Sequence, residues 1–351
     1  MTTKTPKIVL RWNELAPKFL PFADAASEDL PLSRLLRLSL FQVSVGMALV
    51  LLVGTLNRVM IVELHVPASI VSIMVAIPLL FAPFRALIGF RSDNHRSELG
   101  WRRVPYMWMA SMVQFGGLAI MPFALLVLAG AGQSASAPPW VGLTAAALAF
   151  LLVGAGLHTT QTVGLALAND LAAEESRPKV VGLMYVMLLV GMIGSALVFG
   201  VALADFSPGA LIQVIQASAV TTLVLNVIAL WKQEPRSRLR RGKPPVEPSF
   251  VDAWRTLTQD ARAMRTLVAI GLGTLAFSME DILLEPYGGE ILHMSVSATT
   301  LLTATLSLGG LIGFAWASKV LSQGADPYRI DRKSTRLNSS HSSVSRMPSS
   351  A

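Results

Sequence analysis

The densest group of polar side chains lies in an apolar stretch near the middle of the chain, which reads Gly154-Ala-Gly-Leu-His-Thr-Thr-Gln-Thr162. A neutral imidazole can donate a lone pair to the metal of a magnesium or iron tetrapyrrole, so His158 is a candidate axial ligand. The alternative is hydrogen bonding between helices by His158, Thr159 and Gln161. No second ligand accompanies the histidine, so a metal site built from protein groups alone is not predicted.

A single arginine, Arg85, stands inside another apolar stretch. It would lie about 9 Å from Arg91 along a helix axis. Two interpretations stay open. The side chain can reach the membrane surface or pair two helices, or it can face a cavity and contact a ligand or a carboxylate.

The segment after Arg85 combines glycine, aspartate and arginine. It reads Gly89-Phe-Arg-Ser-Asp93 and, after an insertion, Gly100-Trp-Arg-Arg103. Glycine permits close helix approach, and the Asp93 carboxylate can accept hydrogen bonds from a helix N-terminus or from Arg102 or Arg103. This pattern predicts a conformational or gating contact. A solvated basic loop that serves topology alone is the alternative.

Three carboxylates lie in the segment Met279-Glu-Asp-Ile-Leu-Leu-Glu-Pro-Tyr-Gly-Gly289. Glu280, Asp281 and Glu285 would sit in or beside the membrane, where an acidic side chain can support protonation-linked movement or contact a ligand headgroup. A water-exposed boundary is the alternative. The other apolar stretches contain no Asp or Glu in their interiors, which weakens a proton-coupled transporter hypothesis.

The elements that position these residues are transmembrane helices. The chain of 351 residues is 53% hydrophobic and 14% charged, and its mean hydropathy is +0.56, beyond the usual range of soluble domains. Apolar runs long enough to cross a hydrocarbon core about 30 Å thick lie at 37–57, 67–90, 104–128, 140–168, 180–204, 209–231, 265–285 and 296–319. Lipid offers the backbone no hydrogen-bond partner. The sequence therefore predicts an all-α membrane protein with eight transmembrane helices.

The basic residues indicate how these helices are oriented. With alternating spans, one side of the membrane receives most of the Lys and Arg, including the run from Lys232 to Arg265, whereas Arg58 lies near the other side. The excess marks the cytoplasmic side. We therefore expect a cytoplasmic N-terminus, with residues 1–36 as a cytoplasmic or interfacial segment and not a cleaved signal peptide. The same rule explains the net charge of +8 without nucleic acid as a partner.

The longest loop, 232–264, divides the predicted helices into two groups. Residues 37–231 would form a six-helix half, and 265–331 would begin a second half with two helices. A weak repeat supports this division, because Asp93-Asn-His-Arg96 returns as Asp326-Pro-Tyr-Arg329 six spans later. Duplicated six-helix halves are typical of the major facilitator superfamily, so eight of twelve helices would be present. The serine-rich stretch 332–351 resembles an adapter-derived extension on a truncated reading frame, and we expect it to be disordered and non-native.

Several classes of function are excluded or disfavoured. The chain has no cysteine, which excludes disulfides, thiol nucleophiles and cysteine metal sites. Its glycine clusters lie within predicted spanning helices, where they favour close helix packing over nucleotide binding. Ser, His and Asp are too dispersed to indicate a hydrolase triad, so no enzyme activity is predicted.

Long stretches of the sequence resemble the bacteriochlorophyll delivery family of the major facilitator superfamily, the PucC- and LhaA-like light-harvesting assembly proteins of purple phototrophic bacteria. The resemblance extends from residue 11 to about 330. It is carried by PFADA at 21–25, LPLSRLLRLSLFQVSVGMA at 30–48, GTLNRVMIVEL at 54–64, FAPFRALIGFRSDNHRSELGWRRVPY at 81–106, HTTQTVGLALANDLA at 158–172 and EDILLEPYGG at 280–289.

This resemblance implies an assembly factor that handles bacteriochlorophyll, or delivers it to antenna polypeptides, in the intracytoplasmic photosynthetic part of the bacterial inner membrane. The expected cofactor or cargo is bacteriochlorophyll, with Arg85, His158, Thr159 and Gln161 as candidate pigment or cavity residues. Expected partners are the lipid bilayer and antenna polypeptides, with bacteriochlorophyll synthase or the protein translocation machinery as further candidates. The competing hypothesis, which rests on fold alone, is a secondary transporter of a small solute.

Overall fold

The computed structural model describes residues 22, 25–27, 30–95, 97, 100–128, 138–235 and 249–322. Within these ranges all regular secondary structure is helical, which confirms the predicted all-α membrane bundle. The N-terminal residues 1–21, part of the predicted linker at 236–248, the second copy of the repeat at 326–329 and the predicted non-native tail at 332–351 lie outside the described residues.

Eight helices in the described ranges are long and apolar enough to cross a membrane. In chain order, spans one to eight are Leu32–Val62, Ala68–Asn94, Val104–Leu128, Pro139–Leu171, Arg177–Ala202, Pro208–Leu230, Ala261–Glu290 and Val296–Ser322. Their number and order agree with the apolar runs. The ends differ most for span one, which is longer than the predicted 37–57 in both directions because its polar ends continue the helix.

Spans one and two are interrupted. Span one consists of α-helices at Leu32–Leu38, Leu40–Leu49 and Asn57–Val62, with a π-helical segment at Val50–Leu56. Span two consists of Ala68–Leu80 and Ala82–Asn94. The break in span two lies next to Pro83, which has no N–H for the carbonyl of residue 79. Such interruptions are tolerated in a membrane where neighbouring helices accept the freed polar groups.

The core lies where spans one, three, four, five and six pack together. Span three packs along span four, and the first half of span one packs against spans five and six. Glycine permits the closest of these crossings, since a Cβ at Gly46 would lie 2.5 Å from the Leu188 carbonyl oxygen and one at Gly191 2.6 Å from Val43 Cα. Spans one and five therefore meet almost backbone to backbone.

A buried polar contact joins three spans within this core. Asn226 of span six accepts from Ser44 Oγ of span one at 2.8 Å and donates to Ser111 Oγ of span three at 2.9 Å. All three side chains are buried. Because lipid supplies no substitute partner, this contact fixes the order in which the three helices meet.

The described part of the predicted linker contains a short helix, Phe250–Gln259, followed by the start of span seven at Ala261. Ser249 caps the short helix by accepting from Asp252 N at 3.2 Å, and Asp260 caps span seven by accepting from Arg262 N at 2.9 Å. Span seven thus begins four residues before the predicted 265. Its last turns pack against the second half of span one.

Backbone contacts divide the chain into two units, residues 1–308 and 309–351. The first contains spans one to seven, the start of span eight and every site described below. The described residues of the second unit, 309–322, are helical.

Candidate functional site

Four polar side chains meet between spans two and four, and three of them are predicted site residues. Arg85 of span two donates from Nε to Thr162 Oγ1 at 3.0 Å and from Nη2 to Gln161 Oε1 at 3.2 Å, and its Nη1 lies 3.3 Å from His158 Nδ1. Positions 161 and 162 follow position 158 by three and four residues, so both side chains neighbour that of His158 on the helix surface. We call these four residues the Arg85 cluster. Arg85 thus pairs two helices, and no carboxylate in the described part of the chain bonds to it.

The contact with Arg85 determines how His158 is protonated. A guanidinium can only donate, so Nδ1 must accept, and a neutral ring then carries its proton on Nε2. The lone pair that an axial ligand needs is directed at Arg85, which leaves Nε2–H as a donor. This arrangement favours a hydrogen-bonding role for His158, and the predicted axial ligation stays a prediction. His158, Gln161 and Arg85 are each partly exposed, so a ligand can reach them.

Two other predicted residues are near the Arg85 cluster but contribute differently. Thr159 is buried, with 8% of its surface exposed, and makes no hydrogen bond with Arg85. A Cβ at Gly89 would lie 3.7 Å from Thr162 Cγ2, an ordinary contact distance, so the helix approach there does not require glycine. Gly89 instead accepts from Ser92 Oγ at 2.8 Å through its carbonyl.

Arg103 is the centre of a second polar cluster at the end of span two and the start of span three. Its Nε donates to Asp170 at 2.6 Å, its Nη2 pairs with Asp93 at 2.6 Å and its Nη1 donates to Ser92 Oγ at 3.0 Å. Arg102 adds a 2.8 Å ion pair to Asp170. The structure thus brings the predicted Asp93, Arg102 and Arg103 together, and it adds Asp170 from the end of span four.

Arg103 stays charged although it is buried. Burial alone would lower the pKa of its guanidinium, but the contacts with Asp170 and Asp93 outweigh burial and raise the pKa above its ordinary value. The charged side chain therefore ties the ends of spans two, three and four together. This geometry is what a gating contact requires. The gating role itself stays a prediction.

Glu234, which the sequence analysis did not identify, completes this end of the bundle. Its carboxylate accepts from the backbone N–H groups of Arg102, Arg103 and Val104 at 2.8, 3.1 and 3.0 Å. It therefore caps the N-terminus of span three, where a negative charge is favourable. No local signal reveals this role, because Glu234 follows span six and lies 130 residues from Val104 in the chain.

The three predicted carboxylates of span seven lie in different surroundings. Glu280 and Asp281 are exposed, whereas Glu285 is fully buried. Glu285 accepts hydrogen bonds from Thr303 Oγ1 and Thr300 Oγ1 of span eight. Its carboxylate lies against Gly54 in the π-helical segment of span one, where a Cβ would overlap Oε1.

Two further contacts hold this end of span seven against span one. Asn57 donates to the Ile282 carbonyl at 2.8 Å. Arg58, which is 2% exposed, pairs with Glu63 at 2.7 Å and donates to the Met294 carbonyl at 2.9 Å. The structure therefore makes Arg58 an internal contact, in addition to its predicted place near the other side of the membrane. In the described part of the chain, no group of three or more His, Asp or Glu side chains could hold a metal ion.

Comparison with known proteins decides the family. A sequence model described as "PUCC protein" matches residues 55–339, a range that contains every predicted site residue. The chain belongs to the PucC family. Two relatives carry the name "Protein PucC". The protein from Rhodovulum sulfidophilum is 67% identical over 89% of this chain and 70% of its own length. The protein from Rhodobacter capsulatus is 62% identical over 90% of this chain and 68% of its own length.

A more distant relative of the chain has a different name. The "Bacteriochlorophyll synthase 44.5 kDa chain" of Rhodobacter capsulatus is 26% identical over 82% of this chain and 64% of its own length. No solved structure matches. Membership of the PucC family, together with the eight apolar helices of the described ranges, identifies the chain as a bacterial membrane protein.

Proposed function

We propose that this chain is an assembly factor for light-harvesting complexes, and that it handles bacteriochlorophyll or delivers it to antenna polypeptides. The observation that carries the proposal is the PucC-family match over residues 55–339. The name of the distant relative mentions bacteriochlorophyll, which supports the same pigment chemistry here. The place of action would be the photosynthetic membrane, with the N-terminus in the cytoplasm.

The Arg85 cluster is the part of the chain that we assign to the pigment. A bacteriochlorophyll is an apolar ring and tail with carbonyl groups at the ring edge, so it requires an apolar surface and a few hydrogen-bond donors. His158 Nε2–H and the guanidinium of Arg85 are such donors, and Arg85, His158 and Gln161 are partly exposed. A carbonyl that accepts from His158 would be bound without a magnesium–nitrogen bond.

The first experiment measures pigment on the purified chain. The full chain is expressed in a pigment-producing purple bacterium, extracted in mild detergent and examined by absorption for bacteriochlorophyll per protein. We expect pigment to copurify. His158→Leu should retain about five- to thirteenfold less, which is what the loss of one hydrogen bond of about 1 to 1.5 kcal/mol predicts. Recovery of the native chain with neither pigment nor antenna polypeptides would refute the proposal.

A matched control distinguishes the loss of the His158 contact from a general effect of replacing a histidine. His293 is an exposed histidine in the turn before span eight, and its backbone has a φ of 52°, which asparagine tolerates. His293→Asn should keep the pigment.

Resonance Raman spectra then distinguish the two roles of His158. A hydrogen bond lowers the stretching frequency of a ring carbonyl, so His158→Leu should raise that frequency to the value of a free carbonyl. A spectrum that changes only in its magnesium-coordination bands would favour axial ligation.

The alternative function is a secondary transporter of a small solute, and one observation favours it. Glu285 is a fully buried carboxylate that bridges spans seven and eight and contacts span one, and a buried acidic side chain in a membrane often binds a proton or cation. Solute uptake by vesicles that contain the purified chain, abolished by Glu285→Gln, would support this function. Unchanged pigment binding in the same variant would support the assembly role.

A further inference from the structure

A cavity of about 1220 Å³ lies outside the sites described so far, between the beginnings of spans one and three and the end of span six. It is larger than most small-molecule pockets, which range from about 300 to 1,000 Å³. Its wall includes the aromatic side chains Trp101, Trp108 and Trp231 together with the cationic side chains Arg34, Arg37 and Lys232. A ligand that fills it must therefore combine a large apolar part with an anionic group.

Among the described residues that line this cavity, three are cationic and one is acidic. The Arg37 side chain makes no hydrogen bond or ion pair with the described residues, and its Nε is buried without a partner. Lys232 is exposed and likewise unpaired within the described ranges. Glu234 is the acidic residue of the wall, but its carboxylate is occupied by the N-terminus of span three.

The third cation is partly engaged. Arg34 donates from Nη2 to the Gln233 carbonyl at 2.6 Å and from Nε to Gln233 Oε1 at 3.2 Å. These neutral acceptors fix the direction of the guanidinium and leave its charge unbalanced. A buried donor without a partner is unfavourable, so an anion that accepts from the Arg37 side chain would stabilise it.

The position of the cavity in the membrane indicates which kind of anion it binds. Trp108 and Trp231 are 48% and 60% exposed, and exposed tryptophans at the ends of spanning helices lie at the level of lipid headgroups. The cavity is at the basic end of the bundle, which faces anionic lipids if that end is cytoplasmic. Acyl chains would run along the tryptophan faces while the headgroup phosphate meets the cations.

We propose that this cavity is a binding site for one anionic phospholipid, with Arg37 and Lys232 binding the phosphate and Trp108 contacting an acyl chain. The site is separate from the Arg85 cluster, so it does not depend on the proposed pigment function. Each cation near a membrane surface strengthens binding of an anionic lipid by about fivefold. Two cations therefore predict a preference for phosphatidylglycerol over phosphatidylcholine of about 25-fold.

The test titrates the delipidated full chain with each of these two lipids and counts bound lipid by native mass spectrometry. The double variant Arg37→Gln with Lys232→Gln should lose most of the preference. The matched control, Arg177→Gln with Arg262→Gln, removes two exposed cations from the same end of the bundle and should keep it. Equal binding of both lipids by the native chain, or the same loss in both double variants, would overturn the proposal.

A second measurement keeps the proposal testable if the charge variant fails to fold. Brominated phosphatidylglycerol quenches nearby tryptophans, and brominated phosphatidylcholine should quench less in the native chain. Trp108→Phe should reduce the difference between the two lipids, whereas Trp140→Phe, at the opposite end of the bundle, should not. No difference between the lipids in the native chain would reject the proposed site for an anionic lipid.

Discussion

Arg103 makes the ion pairs whose loss should most clearly lower the stability of the folded chain. In the variant Arg103→Gln, two ion pairs of 2.6 Å and a hydrogen bond to Ser92 disappear. Only 6% of the Arg103 side chain is exposed, against 53% of Asp93 and 34% of Asp170. Breaking a fully buried pair costs about 3 to 5 kcal/mol, and the exposure of the carboxylates reduces our expectation to about 2 to 3 kcal/mol.

The chain itself determines the assay. It has no cysteine and seven tryptophans, so intrinsic tryptophan fluorescence, and not a thiol-reactive dye, follows unfolding in detergent. At about 2 °C per kcal/mol, the apparent Tm of Arg103→Gln should fall by about 4 to 6 °C.

Arg102→Gln is the matched control for this prediction. Its side chain is 47% exposed and makes one ion pair, to an aspartate that Arg103 also holds. An exposed pair contributes about 1 kcal/mol or less, so the apparent Tm should fall by no more than about 2 °C. Equal losses in the two variants would refute the conclusion that Arg103 is the centre of the cluster.

The pH dependence of the effect follows from the sign of the Arg103 shift. Its pKa is raised in the folded protein, so the stabilisation is complete below the pKa of the unfolded chain and is lost only as the pH rises through the folded value. Both values lie far above neutral pH for an arginine. Arginine titration should therefore leave the difference in apparent Tm between Arg103→Gln and the native chain unchanged between pH 6 and 9. A difference that vanishes at pH 9 would contradict this.

Three further predictions use the same unfolding assay. Gly54→Ala should lower the apparent Tm because its methyl group displaces the buried Glu285 carboxylate, by about 1 to 3 kcal/mol, whereas Gly116→Ala should not, since nothing lies within 4 Å of its Cβ. Asn226→Leu should lower stability by about 1 to 3 kcal/mol because it removes two buried hydrogen bonds between helices, at about 0.5 to 1.5 kcal/mol each, and a raised Tm would contradict that. Glu234→Gln should cost about 1 kcal/mol, with the loss reduced at high salt.

The sequence was sufficient to predict the helices but only part of the sites. Apolar length predicts spanning helices directly, because a membrane permits few other structures. The predicted polar residues Arg85, His158 and Gln161 do meet in the structure, and their role toward a pigment stays a prediction. The partners of Arg103 were only partly predicted, because Asp170 and Glu234 reach it from distant parts of the chain. Contacts of that kind depend on how helices are arranged in space, which one sequence does not specify.

The carboxylates of span seven show why burial was harder to predict. Glu280 and Glu285 are five residues apart, which places them about 140° apart around a helix, so one can be buried while the other is exposed. Which of them is buried depends on where span one packs. The π-helical segment that receives Glu285 has no signal in the apolar pattern, because its residues are as hydrophobic as the helix around it.

That π-helical segment changes the direction in which span one presents its side chains. A π-helical turn accommodates an additional residue, so every side chain after Leu56 is rotated relative to an uninterrupted α-helix. Before the segment, span one packs on spans five and six; after it, Asn57 and Arg58 point at span seven and the turn beyond it. Deleting one residue between 50 and 56 would restore the regular winding and swing Arg58 away from Met294. Span one thus contacts two different sets of neighbouring helices, and the π-helical segment Val50–Leu56 makes both sets of contacts possible.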